Sequence, residues 1–159
     1  MGQQNPTVMI SLGGNAISPK NESGTIQQQF AHTKESLAAV MGFVKRRYNI
    51  CIAHGNGPQV GAELQRNELT QDIIPPLPLG VLVANTQGAI GYMIQQSLQN
   101  ALYKEDANRE VVSVISQVKV DKDDPELMDP KKYIGKSYDK ETAEGLSKEH
   151  NWTIKEQEP

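Results

Sequence analysis

A single cysteine, Cys51, stands among 159 residues, so no internal disulfide framework can staple this chain. No apolar run approaches the roughly 20 residues that a membrane helix needs. The stretch from Met1 to Pro6 is polar and lacks the basic-then-apolar layout of a signal peptide. There is little net charge either: a formal −3 gives no field that would gather nucleic acid or an acidic membrane. No internal repeat and no heptad pattern is visible. These absences leave a globular chain expected in a reducing cytoplasm, and its 37% hydrophobic and 22% charged residues agree.

What is present is an alternation of short apolar runs and longer helical patterns. Val8 to Leu12 is a short run that ends in Gly13-Gly14-Asn15, as a buried strand entering a tight turn does. Ile26, Phe30, Leu37, Val40, Met41, Val44 and Tyr48 then recur at helical spacing, with Asn49 as the stop. Ile50 to His54 reads as a second buried strand, broken by Gly55-Asn56-Gly57-Pro58. Pro58 suits the first turn of a new helix that runs through Val60 and Leu64 to about Glu68.

Ile74-Pro75-Pro76-Leu77-Pro78 is a rigid loop. A second long helix runs from about Val81 to Lys104, and its Ala84, Gly88 and Gly91 form a small-residue face where another element could approach closely. Val111 to Ile115 reads as a third buried strand, with Val118 to Val120 as a continuation. This order predicts a parallel α/β sheet. Residues 1–120 form one α/β lobe. From Asp121 to Pro159 the chain is rich in Asp, Lys, Glu and Pro, with one amphipathic helix from the N-cap Asp139 to about His150.

The two glycine turns carry the chemistry. In an open parallel sheet, strand ends that lead into helices emerge on one edge, and ligands bind there. Glycine lets backbone N–H groups approach an anion, and a helix N-terminus favours negative charge. Either turn alone is equally well a βα loop needing positive φ. Together they favour a phosphoryl cradle made of Gly13, Gly14 and Asn15 with Gly55, Asn56 and Gly57.

Other chemistries fit less well. A dinucleotide fingerprint at Gly55-x-Gly57 would need a strand where the proline loop stands, and no Gly-Lys-Ser or Gly-Lys-Thr closes a phosphate loop. His32, His54 and His150 are not at metal-ligand spacing, so no metal site is expected in the chain. His54, at a strand end beside the cradle, is either an active-site group or a hydrogen-bonded structural histidine. The lysines around Lys131 and Lys132 read as a solvated turn, with a positioned ammonium as the alternative.

Four collinear stretches resemble carbamate kinases. They are Ile10 to Ile17, His54 to Gly61, Thr86 to Tyr92, and the run from Ser116-Gln117-Val118 through Asp124-Pro125 to Pro130-Lys131-Lys132 and Ile134-Gly135. The resemblance implies the amino-acid-kinase fold, a three-layer αβα sandwich with a mainly parallel sheet. This chain would hold its N-terminal half and, over 121–159, the start of a protruding subdomain.

The activity implied is reversible phosphoryl transfer between ATP and carbamate, giving ADP and carbamoyl phosphate, in arginine fermentation. Magnesium would come with the nucleotide, and a homodimer is implied. The glycine cradle would hold carbamate and the transferring group. Lys132 would reach over it, although Tyr133 and Lys136 stand where the family has prolines, and Lys131 is the neighbouring alternative. Family members are about twice as long, and their second half supplies the nucleotide pocket. The chain by itself is therefore expected to show little or no kinase activity. Two other readings stand beside this one: a different amino-acid kinase, of the acetylglutamate type, and a non-catalytic anion-binding or dimerisation module.

Overall fold

A computed structural model describes residues 5–19, 22–131, 134 and 138–156. Strands β1 (Thr7–Leu12) and β2 (Asn49–His54) pair in parallel, from Thr7 opposite Asn49 to Leu12 opposite His54. Side chains alternate across a strand. Ile10, Leu12, Ile50 and Ile52 therefore turn together into the core. Met9 and its register partner Cys51 face the other way and are exposed. The strands read as buried, and the structure buries one face of the pair; a second helical layer, which the three-layer sandwich calls for, is not among the described residues.

The covering layer is helical. A short turn of helix, α1 (Gly14–Ile17), is followed by α2 (Ile26–Ala38) and α3 (Val40–Lys45). Thr25 starts α2 through a capping box: its hydroxyl accepts from the Gln28 N–H, and the Gln28 side chain accepts from the Thr25 N–H. The sequence pattern predicts one helix to Tyr48, whereas the structure tightens at Ala39, whose carbonyl accepts from Gly42 N three residues on. The stop also differs. Arg47 takes the left-handed conformation (φ 60°), and Asn49, expected there, opens β2 instead with its N–H on the Pro6 carbonyl at 2.8 Å.

After β2 comes α4 (Gly57–Thr70), then the proline loop, then α5 (Leu79–Lys104). Leu82, Thr86, Ile90, Met93, Ile94, Leu98 and Leu102 form the buried stripe of α5, which packs with Leu37, Val40 and Val44 under the sheet. None of the described helices is long and apolar enough to cross a membrane.

The expected third strand, Val111 to Ile115, forms no regular strand and pairs with neither strand of the sheet among the described residues. Glutamines of α5 hold its backbone instead. Gln99 accepts from Val111 N (3.0 Å) and donates to Arg109 O (3.1 Å); Gln95 donates to Val111 O (2.9 Å). Gln87 accepts from Ser116 N at 2.8 Å and donates to Ser116 O at 3.2 Å. Close approach is possible because α5 is small there: a Cβ on Gly91 would lie 3.0 Å from Ser113 Oγ, and one on Gly88 3.9 Å from Ile115 Cδ1. Val112 and Val114 point away and are 84% and 82% exposed. Val118 to Val120 is likewise unpaired and exposed.

Beyond Val120 a 3-10 turn (Pro125–Leu127) is capped by Asp124, and α6 (Lys140–His150) is capped by Asp139. The Asp139 carboxylate accepts from both the N–H and the hydroxyl of Thr142, which holds its pKa below the ordinary aspartate value. Asn151, left-handed at φ 55°, ends the helix, and no residue of α6 is fully buried.

Candidate functional site

The parallel register brings the ends of β1 and β2, Leu12 and His54, side by side, so the two glycine turns leave the same edge of the sheet. Gly55 N donates to Leu12 O at 3.3 Å and ties one turn to the other strand's end. A Cβ built on Gly14 would lie 3.6 Å from Pro58 Cδ, so the turns are in contact. The structure thus gathers Gly13 and Gly14, the backbone of Asn15, and Gly55, Asn56 and Gly57 at one place.

Neither turn needs glycine for its own conformation. Gly13 sits at φ −68°, and Gly24 is the one described glycine with positive φ. The reading of these turns as loops that require positive φ is therefore overturned. Packing does not demand glycine at Gly13, Gly55 or Gly57 either, since a Cβ at each would meet nothing within 4 Å among the described residues. Side chains are missing where the space in front of the backbone is open.

The N-terminus of α4 faces this space with its capping residue otherwise engaged. Asn56 is among the best N-cap residue types, yet its side chain makes no capping bond. Its amide donates to Thr86 Oγ1 at 2.9 Å and to Val83 O at 3.4 Å, both on α5. Thr86, 3% exposed, passes its own hydroxyl hydrogen to Val83 O at 2.8 Å. First-turn N–H groups of α4 are left without a side-chain acceptor, and such groups with the helix dipole favour an anion. Thr86 was not among the residues singled out for the cradle; a threonine on the buried stripe of α5 was the available signal.

Of the other residues read from the sequence, His54 and Lys131 are described, and neither side chain joins this cluster. His54 Nδ1 lies 3.2 Å from the Gly55 carbonyl, a hydrogen-bonded position beside the turn. Lys132 lies outside the described residues. Its neighbour Lys131 pairs with Glu126 at 2.6 Å on an exposed loop. Among the described residues no group of three or more His, Cys, Asp or Glu is gathered as metal ligands would be.

No protein-family model matches the chain. A carbamate kinase from Pyrococcus horikoshii is 42% identical over 151 residues, which are 94% of this chain and 48% of that protein. The structure of a Giardia lamblia carbamate kinase bound to citric acid superposes with a TM-score of 0.86 at 31% identity, over 91% of this chain and 47% of the other. The same kinase bound to AMP-PNP gives 0.80 at 30% identity, over 98% and 49%. Over nearly its whole length the chain is similar in sequence and fold to the N-terminal half of carbamate kinases. It spans about half the length of the carbamate kinases it matches. The stretch from Thr86 to Tyr92, one of those that resemble carbamate kinases, has a structural task here. Thr86 holds Asn56, Gln87 holds Ser116, and Gly88 and Gly91 admit Ile115 and Ser113.

Proposed function

We propose that this chain supplies the carbamate and phosphoryl side of a carbamate kinase, which transfers a phosphoryl group reversibly between ATP and carbamate. The observation that carries this reading is the set of glycines, Gly13, Gly55 and Gly57, which neither φ nor packing requires and which border open space beside the uncapped start of α4. Phosphoryl transfer asks for positioning and charge neutralisation more than for acid–base chemistry. Backbone N–H groups at the two turns would hold the oxygens of carbamate and of the moving phosphoryl group. The Asn56–Thr86 bond would fix the second turn on α5, and Lys132 would bring a positive charge to the transition state.

The nucleotide, with its magnesium ion, would bind to the part of the family fold that this chain does not span. The complete enzyme would be a cytoplasmic homodimer that forms ATP from carbamoyl phosphate in arginine fermentation. ATP formation from ADP, carbamoyl phosphate and magnesium is the test, run on this chain alone and on the chain continued by the remaining half of the Pyrococcus horikoshii relative. The chain alone is expected to be silent. The chimera is expected to be active and to lose tenfold or more with Lys132→Ala, since charge-assisted contacts are worth roughly 1.5–3 kcal/mol. A folded but silent chimera would contradict the reading.

A further inference from the structure

Polar side chains of α2 reach the residues that follow both glycine turns. Gln29, Thr33 and Ser36 succeed one another at spacings of four and three, so they share one face of the helix. Ser36 Oγ donates to Ala16 O at 3.3 Å, in the short helix after the first turn. Gln29 Oε1 accepts from Gln59 Nε2 at 3.0 Å, in the first turn of α4 and two residues beyond Gly57. Thr33, between them in sequence, is fully buried, and its hydroxyl has no partner among the described residues.

One carbonyl sets the orientation of both amides. Gln29 Nε2 donates to Gly24 O at 2.8 Å, and a carbonyl can only accept. Gln29 must therefore present its oxygen to Gln59, and Gln59 its nitrogen to Gln29. Gln59 Oε1 is left over, buried and without a donor among the described residues. Gly24 is closely held: its φ is 67°, and a Cβ there would lie 3.1 Å from Ser18 Oγ. Ser18 N in turn donates to Gly14 O at 2.8 Å. The relay thus runs from the start of α4 through α2 to the loop that follows the first glycine turn.

A buried acceptor without a donor costs more than an ordinary hydrogen bond returns on balance. An apolar side chain of similar length at position 59 avoids that cost. The Gln59 amide therefore adds little to stability, and what it supplies is direction. It ties the first turn of α4, which has no side-chain cap, to α2, while Asn56 ties the same start to α5. We propose that Gln59 is a positioning residue for the phosphoryl cradle and acts through Gln29: the pair sets where the first-turn N–H groups of α4 stand against the Gly13 turn. This rests on the reading of the two turns as the phosphoryl site.

The experiment titrates carbamoyl phosphate into the 159-residue chain and into its Gln59→Met, Gln29→Met and double variants, with a thermal melt of each sample. Methionine is unbranched and flexible like glutamine but carries no amide. Each single variant is expected to bind roughly three- to tenfold more weakly, the range of one ordinary hydrogen bond. The double variant should bind no more weakly than either, because one substitution already breaks the pair. The melting temperature of Gln59→Met should be unchanged, which a merely structural role does not allow alongside lost affinity. Unchanged affinity in Gln59→Met, a loss that only follows a fall in melting temperature, or single losses that add in the double variant each overturn the positioning role and leave the phosphoryl site standing. A folded chain that binds no carbamoyl phosphate overturns the site and the positioning role together.

Discussion

Gly14 rests against Pro58, with room for a Cβ 3.6 Å from the proline Cδ, so the turn after one strand touches the first turn of the helix after the other. Contact between residues 44 positions apart follows from the parallel register of β1 and β2. It makes one edge site from two separate stretches of sequence.

At Gly13 and Gly55 the account separates folding from binding. A methyl group at either position meets nothing within 4 Å. Gly13→Ala and Gly55→Ala are therefore expected to change stability by no more than about 0.5 kcal/mol, as exposed substitutions do. Carbamoyl phosphate affinity should nevertheless fall about tenfold, because the methyl stands where the anion meets the backbone and charge-assisted contacts are lost. Thermal melts and binding titrations on the same samples check both halves.

The Asn56–Thr86 bond should behave as one unit. Asn56→Ala and Thr86→Val are each expected to cost about 1 kcal/mol, the usual net worth of a hydrogen bond. The double variant should cost clearly less than the sum, because either change alone already breaks the pair. Urea melts of the four proteins give the coupling. Strict additivity would mean that the 2.9 Å contact contributes nothing.

Two glycines one turn apart on α5 should respond in opposite directions. At Gly88 a Cβ would lie at an ordinary 3.9 Å from Ile115, so Gly88→Ala is expected to gain up to about 1 kcal/mol of helix propensity. At Gly91 it would crowd Ser113 at 3.0 Å and 3.1 Å. Overpacking costs roughly 1–3 kcal/mol, which outweighs the helix gain and leaves a net loss of about 1 kcal/mol. Ser113→Gly should rescue Gly91→Ala if the contact is the cause.

Acid should loosen α6 at its start. Asp139 is ionised more readily in the folded chain than in the unfolded one, because Thr142 bonds its carboxylate. Its contribution is therefore present above the unfolded aspartate pKa and fades as pH falls through the lower folded value. Exchange of the Thr142 amide should rise over that interval, and Asp139→Ala should raise it at neutral pH as well.

The sequence was most legible where a local pattern and its physical cause coincide. The two strands, the Pro58 start of α4, the Asp139 cap and the small face of α5 can all be read from spacing and residue type. The third strand was misread because Val111 to Ile115 has strand composition, while the backbone of Val111 bonds to Gln95 and Gln99 and that of the next residue, Ser116, to Gln87, which no β-pattern announces. At the site, the glycines were visible but their reason was not. Only backbone angles and the empty space before Gly13, Gly55 and Gly57 remove the alternative that the turns need positive φ. Thr86 was noticed only as the start of a stretch that resembles carbamate kinases, and not as part of the cradle, because a threonine on an apolar helix face looks like any small core residue.

The most direct measurement is a titration of carbamoyl phosphate into the folded 159-residue chain, in parallel with its Gly55→Ala variant. Saturable binding that weakens about tenfold in the variant, with the fold unchanged, is the predicted result. No saturable binding by the folded chain, or equal binding by both proteins, would contradict the assignment of the glycine turns as the phosphoryl site.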